Sequence, residues 1–258
     1  MNTQPALVLF SGGKDSFLAA SRLAMTGTPV VLLSFNNGAI IAEGILAKSA
    51  QRLINRYGDG LVSYAGCYNT AAVFQSMRDW NADTPWSRLG QEYPNLYTSQ
   101  VTCLLCQTAM WSAAIAYAVA KDIPRLASGY RKSDPFCTGW TGYCNRISDL
   151  AAKYGRYILW PVWNDDTWCQ NPGERDYEMA RHGFEPAAFE PKCTLGRPVH
   201  TLSEQEQNDM ARCLDATLLG IAASRIKKLI PVFRAIRLSS QSMHELDYPI
   251  PDGSSGLF

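Results

Sequence analysis

The chain has 258 residues, of which 47% are hydrophobic and 18% charged, with 24 Lys and Arg against 23 Asp and Glu. This length suits one large domain, or one domain with a small appendage, and the apolar content excludes a disordered chain. The net charge of +1 excludes a broadly basic nucleic-acid coat, so an RNA partner would need a local patch. Eight cysteines are too few for a disulfide scaffold. Without a signal peptide or a membrane-spanning stretch, the sequence predicts a cytoplasmic protein with reduced thiols.

Apolar runs that alternate with helical patterns extend through the first part of the chain. The runs are continuously apolar rather than alternating, which is typical of parallel strands covered by helices on both faces. We therefore predict an α/β fold with a doubly wound parallel sheet of about five strands. The predicted strands are 6–10, 30–35, 61–65, 123–128 and 157–162, and the predicted helices among them are 17–24, 42–57 and 103–120.

Three intervening segments lack a clear hydrophobic period. Residues 78–100 combine turn-forming residues with aromatics and predict a long loop or lid. Residues 130–147 predict irregular chain, and the proline-containing region 163–202 predicts mostly loop. The sequence thus predicts irregular segments before the fourth strand, between the fourth and fifth strands, and after the fifth strand.

The last part of the chain predicts helices rather than strands. Ser203 and Glu206 fit a capping box, and the helix that follows is predicted to run to about Leu229, before Pro231. This change in pattern predicts two parts. They are an α/β domain over 1–200 and a helical C-terminal extension over 201–258.

A glycine-containing loop, Ser11-Gly12-Gly13-Lys14-Asp15-Ser16, lies between the first predicted strand and the first helix. Its two glycines let backbone N–H groups converge on an anion, and the N-terminus of the following helix adds positive potential at the same point. The spacing differs from that of a Walker A motif and from that of a dinucleotide fingerprint. We interpret this segment as a phosphate-binding loop.

A Ser-Gly-Gly-x-Asp-Ser loop directly after an N-terminal strand resembles the signature of the PP-loop ATP pyrophosphatases, also called adenine nucleotide α-hydrolase-like enzymes. The resemblance implies an enzyme that cuts ATP between the α- and β-phosphates and adenylates a substrate oxygen. Asp15 would position Mg²⁺, and Lys14 occupies the variable place of the loop. The residues implied to hold the phosphates are Ser11, Gly12, Gly13 and Ser16.

Two further segments carry the resemblance. Ala127-Ser128-Gly129-Tyr130 with Asp134 is similar to the family's Gly-His-x-x-Asp segment after the fourth strand, with tyrosine in place of histidine. The resemblance implies that Gly129 lies at the ATP site. The family reads adenine with the backbone at the end of the second strand, which implies Ser34 and Phe35 here.

Cys103 and Cys106 form a Cys-x-x-Cys pair that opens a predicted helix, with Thr102 as its N-cap. A thiol at a helix N-terminus has a lowered pKa, which suits metal ligation. The pair resembles that of the iron–sulfur tRNA thiolases of the PP-loop family, whose third cysteine follows at a comparable spacing; here Cys193 follows Cys106 by 87 residues. The resemblance implies a [4Fe–4S] cluster on these three cysteines and sulfur transfer to a nucleobase. The implied catalytic residues are Lys14, Asp15, Cys106 and Asp134.

Other interpretations stay open. A four-cysteine zinc site would use some of Cys137, Cys144 and Cys169. The segments Gly129–Asp134 and Gly142–Cys144 are similar to those of 7-cyano-7-deazaguanine synthases, which implies nitrogen transfer to a small heterocyclic carboxylate in queuosine-type biosynthesis. A non-catalytic ATP-sensing module is a third candidate, which the intact phosphate loop disfavours.

The predicted partners are ATP with Mg²⁺ and either a nucleobase or tRNA or a small molecule, without a membrane and with a homodimer as the candidate assembly. Basic residues near the end of the sequence predict either a patch that contacts phosphates or a solvated helix face. Several aromatic residues could either stack on a base or belong to the core. The basic residues are Arg225, Lys227, Lys228, Arg234 and Arg237, and the aromatics are Trp140, Tyr143, Trp160, Trp163 and Trp168. Cys67 and Cys213 are interpreted as core residues.

Overall fold

A computed structural model describes residues 4–38, 43–79, 92–96, 98–134, 136–164, 172–185, 201–236 and 244–245. The strands are β1 (Ala6–Leu9), β2 (Val30–Asn36), β3 (Val62–Asn69), β4 (Arg125–Ser128), β5 (Tyr157–Leu159) and β6 (His244–Glu245). The helices are α1 (Lys14–Met25), α2 (Glu43–Tyr57), α3 (Ala71–Asp79), α4 (Thr98–Ala120), α5 (Thr141–Ala152), α6 (Pro172–Arg181), α7 (Glu204–Cys213) and α8 (Leu219–Ala235). A 3-10 turn (Cys137–Gly139) precedes α5, and a π-helical turn (Leu214–Leu218) joins α7 to α8.

The strands form a parallel sheet in the order β5-β4-β1-β2-β3-β6. The central strand β1 pairs with β2 on one side, where Ala6 faces Val30, and with β4 on the other, where Ala6 faces Arg125. The chain runs outward from β1 to β3 and then crosses back to β4, so the strand order reverses beside β1. The predicted doubly wound sheet of five parallel strands is confirmed, and the two-residue β6 extends one edge.

Helices cover both faces of the sheet because side chains alternate along its strands. On β1, Leu7 belongs to one hydrophobic core and Val8 to the other, and both are fully buried. The first core contains α3, α4, α5, α7 and α8, and the second contains α1, α2 and α6. The predicted parts 1–200 and 201–258 therefore share the first core, and the boundary between them stays a prediction.

Helix α4 lies at the centre of the first core. It contacts β1 and β4 and packs along α8, and its residues Trp111, Ile115 and Tyr117 are almost wholly buried. Its segment Ser99–Ala120 would be long and apolar enough to cross a membrane, and 72% of its most apolar window is buried inside the protein. A helix that is apolar around its whole circumference is typical of a protein core.

Helix α4 begins at Thr98, and the predicted start at Cys103 is wrong. Its first turns carry polar residues, so hydrophobic periodicity does not mark them. One of these residues, Gln100, is buried, and its Nε2 donates to Glu206 Oε1 at 2.5 Å. Thr102 is therefore inside the helix rather than at its N-cap, and a contact with α7 stabilises the beginning of the helix.

Two helices occupy segments that the sequence predicted to be irregular or loop. Helix α5 buries Tyr143, Ile147 and Leu150, but Gly142 and several polar residues interrupt the pattern. Helix α6 begins at Pro172, a residue favoured in the first turn, and is too polar to show a hydrophobic period. Both helices are specified by contacts with distant parts of the chain.

The capping box at the start of α7 is confirmed. Ser203 Oγ accepts from the Glu206 N–H at 3.3 Å, and Glu206 Oε2 accepts from the Ser203 N–H at 2.7 Å. The predicted end near Leu229 is wrong, because α8 continues through Pro231 to Ala235. Proline removes one helical hydrogen bond, but the fully buried Phe233 anchors the turn that follows it.

Candidate functional site

Hydrogen bonds within the loop between β1 and α1 fix its conformation. Gly12 has a φ of +72°, a left-handed conformation that glycine adopts without strain, and Gly13 caps α1. Ser16 Oγ donates to the Gly13 carbonyl at 2.9 Å and lies 3.1 Å from Ser11 Oγ. The first N–H groups of a helix have no partner within it, so this end of α1 can bind an anion.

The loop lies at the point where the strand order reverses, between the carboxyl ends of β1 and β4. In doubly wound sheets ligands bind in the crevice at this position. Gly129 follows β4 and packs directly on the loop: a Cβ atom there would lie 2.4 Å from Ser16 N and 2.5 Å from the Asp15 carbonyl carbon. Only glycine permits this approach, so the end of β4 and the phosphate loop form one site.

Two arginines flank Asp15. Arg131 Nε lies 3.3 Å from Asp15 Oδ2, and Arg175 Nη1 lies 3.2 Å from Asp15 Oδ1. Arg131 also pairs with Asp134, whose Oδ1 lies 3.0 Å from its Nη2. The sequence predicts site roles for Asp15 and Asp134 but for neither arginine, although Arg131 stands within the segment Gly129–Asp134.

Helix α6 brings Arg175 to the loop and is held there by further ion pairs. Lys14 Nζ donates to Asp176 Oδ1 at 2.7 Å, and Arg22 Nε and Nη2 each donate to a carboxylate oxygen of Glu178 at 2.8 Å. Burial would raise the pKa of Glu178, but the hydrogen bond and charge of Arg22 hold this pKa below its ordinary value. Lys14 is thus engaged by α6 and lies at the edge of the site.

The end of β2 forms the neighbouring wall. Ser34 is buried, and its Oγ donates to the Phe10 carbonyl at 2.7 Å, so its side chain links two strands. Phe35 packs in the first core. Beyond them, the side-chain amide of Asn37 donates to Cys106 Sγ and connects this wall to α4.

Four cysteines gather beside the carboxyl edge of the sheet. Cys103 and Cys106 lie within α4, and the predicted position at the helix N-terminus is wrong. Burial raises the pKa of Cys137 well above its ordinary value, and a hydrogen bond with Cys103 raises it further. Burial and the Asp134 charge raise the pKa of Cys144 to about 12. The sequence left open whether Cys193 or some of Cys137, Cys144 and Cys169 complete a metal site, and the fold places Cys137 beside Cys103.

Tyr130, which replaces the family's histidine, is directed into the protein. Its hydroxyl donates to Gln107 Oε1 and accepts from Trp111 Nε1, and its ring stacks on Trp160 with the centroids 5.6 Å apart. Burial raises the pKa of Tyr130 well above its ordinary value. Tyr130 therefore links β4 to α4 as a neutral phenol.

The other predicted groups have mixed outcomes. Tyr143 is fully buried and unavailable for base stacking, whereas Trp140 carries the Arg146 guanidinium over its ring at 5.6 Å. Cys67 and Cys213 are buried, as predicted. Within the described ranges, no group of three or more His, Cys, Asp or Glu residues is arranged to hold a metal ion. Trp168, Cys169, Cys193 and Arg237 lie outside the described residues.

The four late basic residues that the structure describes lie on α8. Lys227, Lys228 and Arg234 are exposed, as a solvated helix face would be. Arg225 is partly buried, and its Nη2 donates to the Ser76 carbonyl at 3.3 Å. Arg225 therefore connects α8 to α3 and is not part of an open phosphate-binding patch.

Solved structures share this parallel α/β fold at low sequence identity. A solved 4-thiouridine synthetase in complex with RNA and bound ATP has a TM-score of 0.56 and 12% identity over 87% of this chain and 53% of that chain. This chain thus spans about half the length of that synthetase. The NMN synthetase of Francisella tularensis has a TM-score of 0.51 and 13% identity over 93% of this chain and 91% of that chain.

A third solved structure, a subunit assigned to a tRNA methyltransferase of Methanocaldococcus jannaschii, is 18% identical over 78% of this chain and 99% of that chain. Its TM-score is 0.42. No protein-family model and no curated protein matches the sequence. The similarity to known proteins therefore lies in the fold alone.

Proposed function

We propose that the chain is a cytoplasmic, ATP-dependent adenylating enzyme that activates a substrate oxygen and releases pyrophosphate. The observation that carries this proposal is the position of the Ser-Gly-Gly-Lys-Asp-Ser loop, which lies where the strand order reverses. Gly129 packs directly against this loop. Ordered N–H donors and cations at this position suit a triphosphate better than a neutral ligand.

Each part of the site has a separate task in this reaction. The residues that would hold the phosphates are Ser11, Gly12, Gly13 and Ser16. Asp15 offers partly exposed carboxylate oxygens, the ligand type that Mg²⁺ prefers, and the ion would neutralise charge on the phosphates. The backbone of Ser34 and Phe35 would position adenine. Asp134 would act through Arg131, which it orients.

We propose sulfur transfer to a nucleobase, of the tRNA thiolation type, as the reaction that follows adenylation. The thiols of α4 support it, since Asn37 connects Cys106 to the wall that would hold adenine. The resemblance to a 4-thiouridine synthetase fold supports the same class of substrate. A [4Fe–4S] cluster would be held by the thiolates of Cys103, Cys106 and Cys193, which are suitable ligands. Such a cluster would supply one iron to which sulfide can bind.

Nitrogen transfer to a small heterocyclic carboxylate is the second candidate. The net charge of +1 favours it, because a large RNA footprint usually needs more basic surface. A cysteine zinc site would accompany this reaction, although the described cysteines are not arranged to hold a metal ion.

Product analysis tests adenylation. We expect the purified chain, given ATP, Mg²⁺ and bulk tRNA, to form AMP and pyrophosphate in equal amounts, because the bond that breaks lies between the α- and β-phosphates. A parallel reaction with small heterocyclic carboxylates and ammonia distinguishes the second candidate. Formation of ADP and inorganic phosphate would contradict both.

Metal analysis tests the use of the cysteines. We expect anaerobically purified protein to absorb broadly near ~400 nm and to lose this absorbance in Cys103→Ala. Cys213→Ala is the matched control, because Cys213 is a buried core cysteine of α7, and it should keep the absorbance. A colourless protein with stoichiometric zinc would count against the cluster and favour nitrogen transfer.

A further inference from the structure

Helix α6 delivers an arginine to the mouth of the phosphate loop from a distant part of the sequence. Arg175 Nη1 lies 3.2 Å from Asp15 Oδ1 and 3.4 Å from Oδ2. Asp15 stands in the first turn of α1, next to Ser16 of the phosphate loop. A cation that reaches this carboxylate therefore lies where the phosphates of a bound nucleotide would emerge from the loop.

The contact of Arg175 differs from those that anchor α6. The pairs Lys14–Asp176 and Arg22–Glu178 have distances of 2.7 and 2.8 Å, near the optimum for charge-assisted hydrogen bonds. The Arg175–Asp15 distances are longer, and about a quarter of the Asp15 side chain is exposed. The tight pairs can hold α6 in place while Arg175 exchanges its partner.

A guanidinium is well suited to such an exchange. Its planar fork of N–H donors fits two oxygens of a carboxylate or of a phosphate in the same geometry. The carboxylate of Asp15 is thus the partner of Arg175 until a nucleotide phosphate replaces it. Arg131, on the other side of Asp15, keeps Asp134 as a second anionic partner.

We propose that Arg175 binds the β- and γ-phosphates of ATP and stabilises pyrophosphate as it leaves; the proposal rests on the adenylation function above. As a bond forms between the substrate oxygen and the α-phosphorus, the bond from that phosphorus to the bridging oxygen breaks. The electron pair moves onto the departing pyrophosphate, and the positive charge of Arg175 offsets the negative charge that develops there. Asp15, released from Arg175, is then available to Mg²⁺.

Calorimetric titration of the full chain with inorganic pyrophosphate, and separately with ATP, tests this role without requiring turnover. We expect Arg175→Gln to weaken the binding of pyrophosphate at least tenfold, and Arg175→Lys to restore part of it, because lysine keeps the charge but lacks the fork. Arg22→Gln is the control, since it removes one of the two pairs that anchor the same helix, leaves the Lys14–Asp176 pair in place and should change affinity less than twofold. Thermal melts establish that each variant is folded. If Arg175→Gln does not fold, the affinity of Arg175→Lys for pyrophosphate is compared with that of the wild-type chain instead.

Asp15→Asn provides an independent test. Without a carboxylate to compete for Arg175, metal-free pyrophosphate should bind at least as tightly as it does to the wild-type chain. Weaker metal-free binding would overturn the exchange. If Arg175→Gln and Arg22→Gln lose the same affinity for pyrophosphate, Arg175 only holds α6 in place, and the proposal is overturned.

The outcomes also separate this proposal from the proposed function. If the wild-type chain binds ATP and pyrophosphate but Arg175→Gln binds them equally well, only the role of Arg175 is wrong. If the wild-type chain binds neither ligand, the adenylation function fails, and the role of Arg175 fails with it.

Discussion

We expect Asp15→Ala to abolish AMP formation while the protein stays folded. The carboxylate is the group that would position Mg²⁺ at the phosphates, and loss of such charge stabilisation costs several kcal/mol in the transition state, or at least about a hundredfold in rate. The fold should tolerate the change, because a partly exposed ion pair contributes about 1 kcal/mol or less. AMP release under saturating ATP, together with a thermal melt, measures both effects.

Asp215→Ala is the matched control for this variant. Asp215 also accepts two hydrogen bonds from an arginine, with Arg146 at 2.7 Å, but it lies at the junction of α7 and α8. The control should form AMP at the wild-type rate. Undiminished AMP formation in Asp15→Ala would remove the basis for the proposed reaction.

Gly129→Ala should disrupt the site by steric contact alone. The new methyl group would approach three backbone atoms of Asp15 and Ser16 at 2.4 to 2.7 Å, and backbone cannot move aside as a flexible side chain can. Either β4 or the start of α1 must shift, at a cost of about 1–3 kcal/mol in stability. We expect a lower melting temperature and at least tenfold weaker ATP binding by calorimetry.

Gly220→Ala separates this effect from a general intolerance of alanine. Gly220 lies in α8 with open space around its Cα, and alanine is the better helix former by about 1 kcal/mol. The control should therefore melt at the same or a higher temperature and bind ATP normally. Wild-type ATP affinity in Gly129→Ala would show that β4 and the phosphate loop are not coupled as the geometry indicates.

The phosphate loop could be predicted because its information is local. Strand, glycine turn and helix start follow one another within residues 6–25, and Gly12 adopts the left-handed conformation that such a turn needs. The parallel sheet was predictable for a similar reason, since buried strands are continuous apolar runs. Both features depend on residues that are adjacent in the sequence.

Arg175 could not be predicted in this way. It meets Asp15 across 160 residues, and its helix α6 is held by ion pairs that leave no hydrophobic period. Surface-lying polar helices are specified by such partners rather than by their own pattern. The one local signal was Pro172, which favours the first turn of a helix.

The cysteines illustrate a third case. Their spacing selected Cys103 and Cys106 correctly as a pair on one helix, but the helix start was misplaced because Gln100 is stabilised by Glu206 of α7. Spacing also gave no sign that Cys137 would contact Cys103, since the 3-10 turn that carries Cys137 depends on tertiary packing. Sequence spacing identified candidate ligands but not their neighbours.

The burial of α4 has a consequence for synthesis of the chain. Its apolar segment leaves the ribosome well before α8, the helix that packs along it. Until α8 arrives, the incomplete polypeptide presents an apolar surface that favours aggregation. The packing of α8 onto α4 is therefore the folding step that covers this apolar surface.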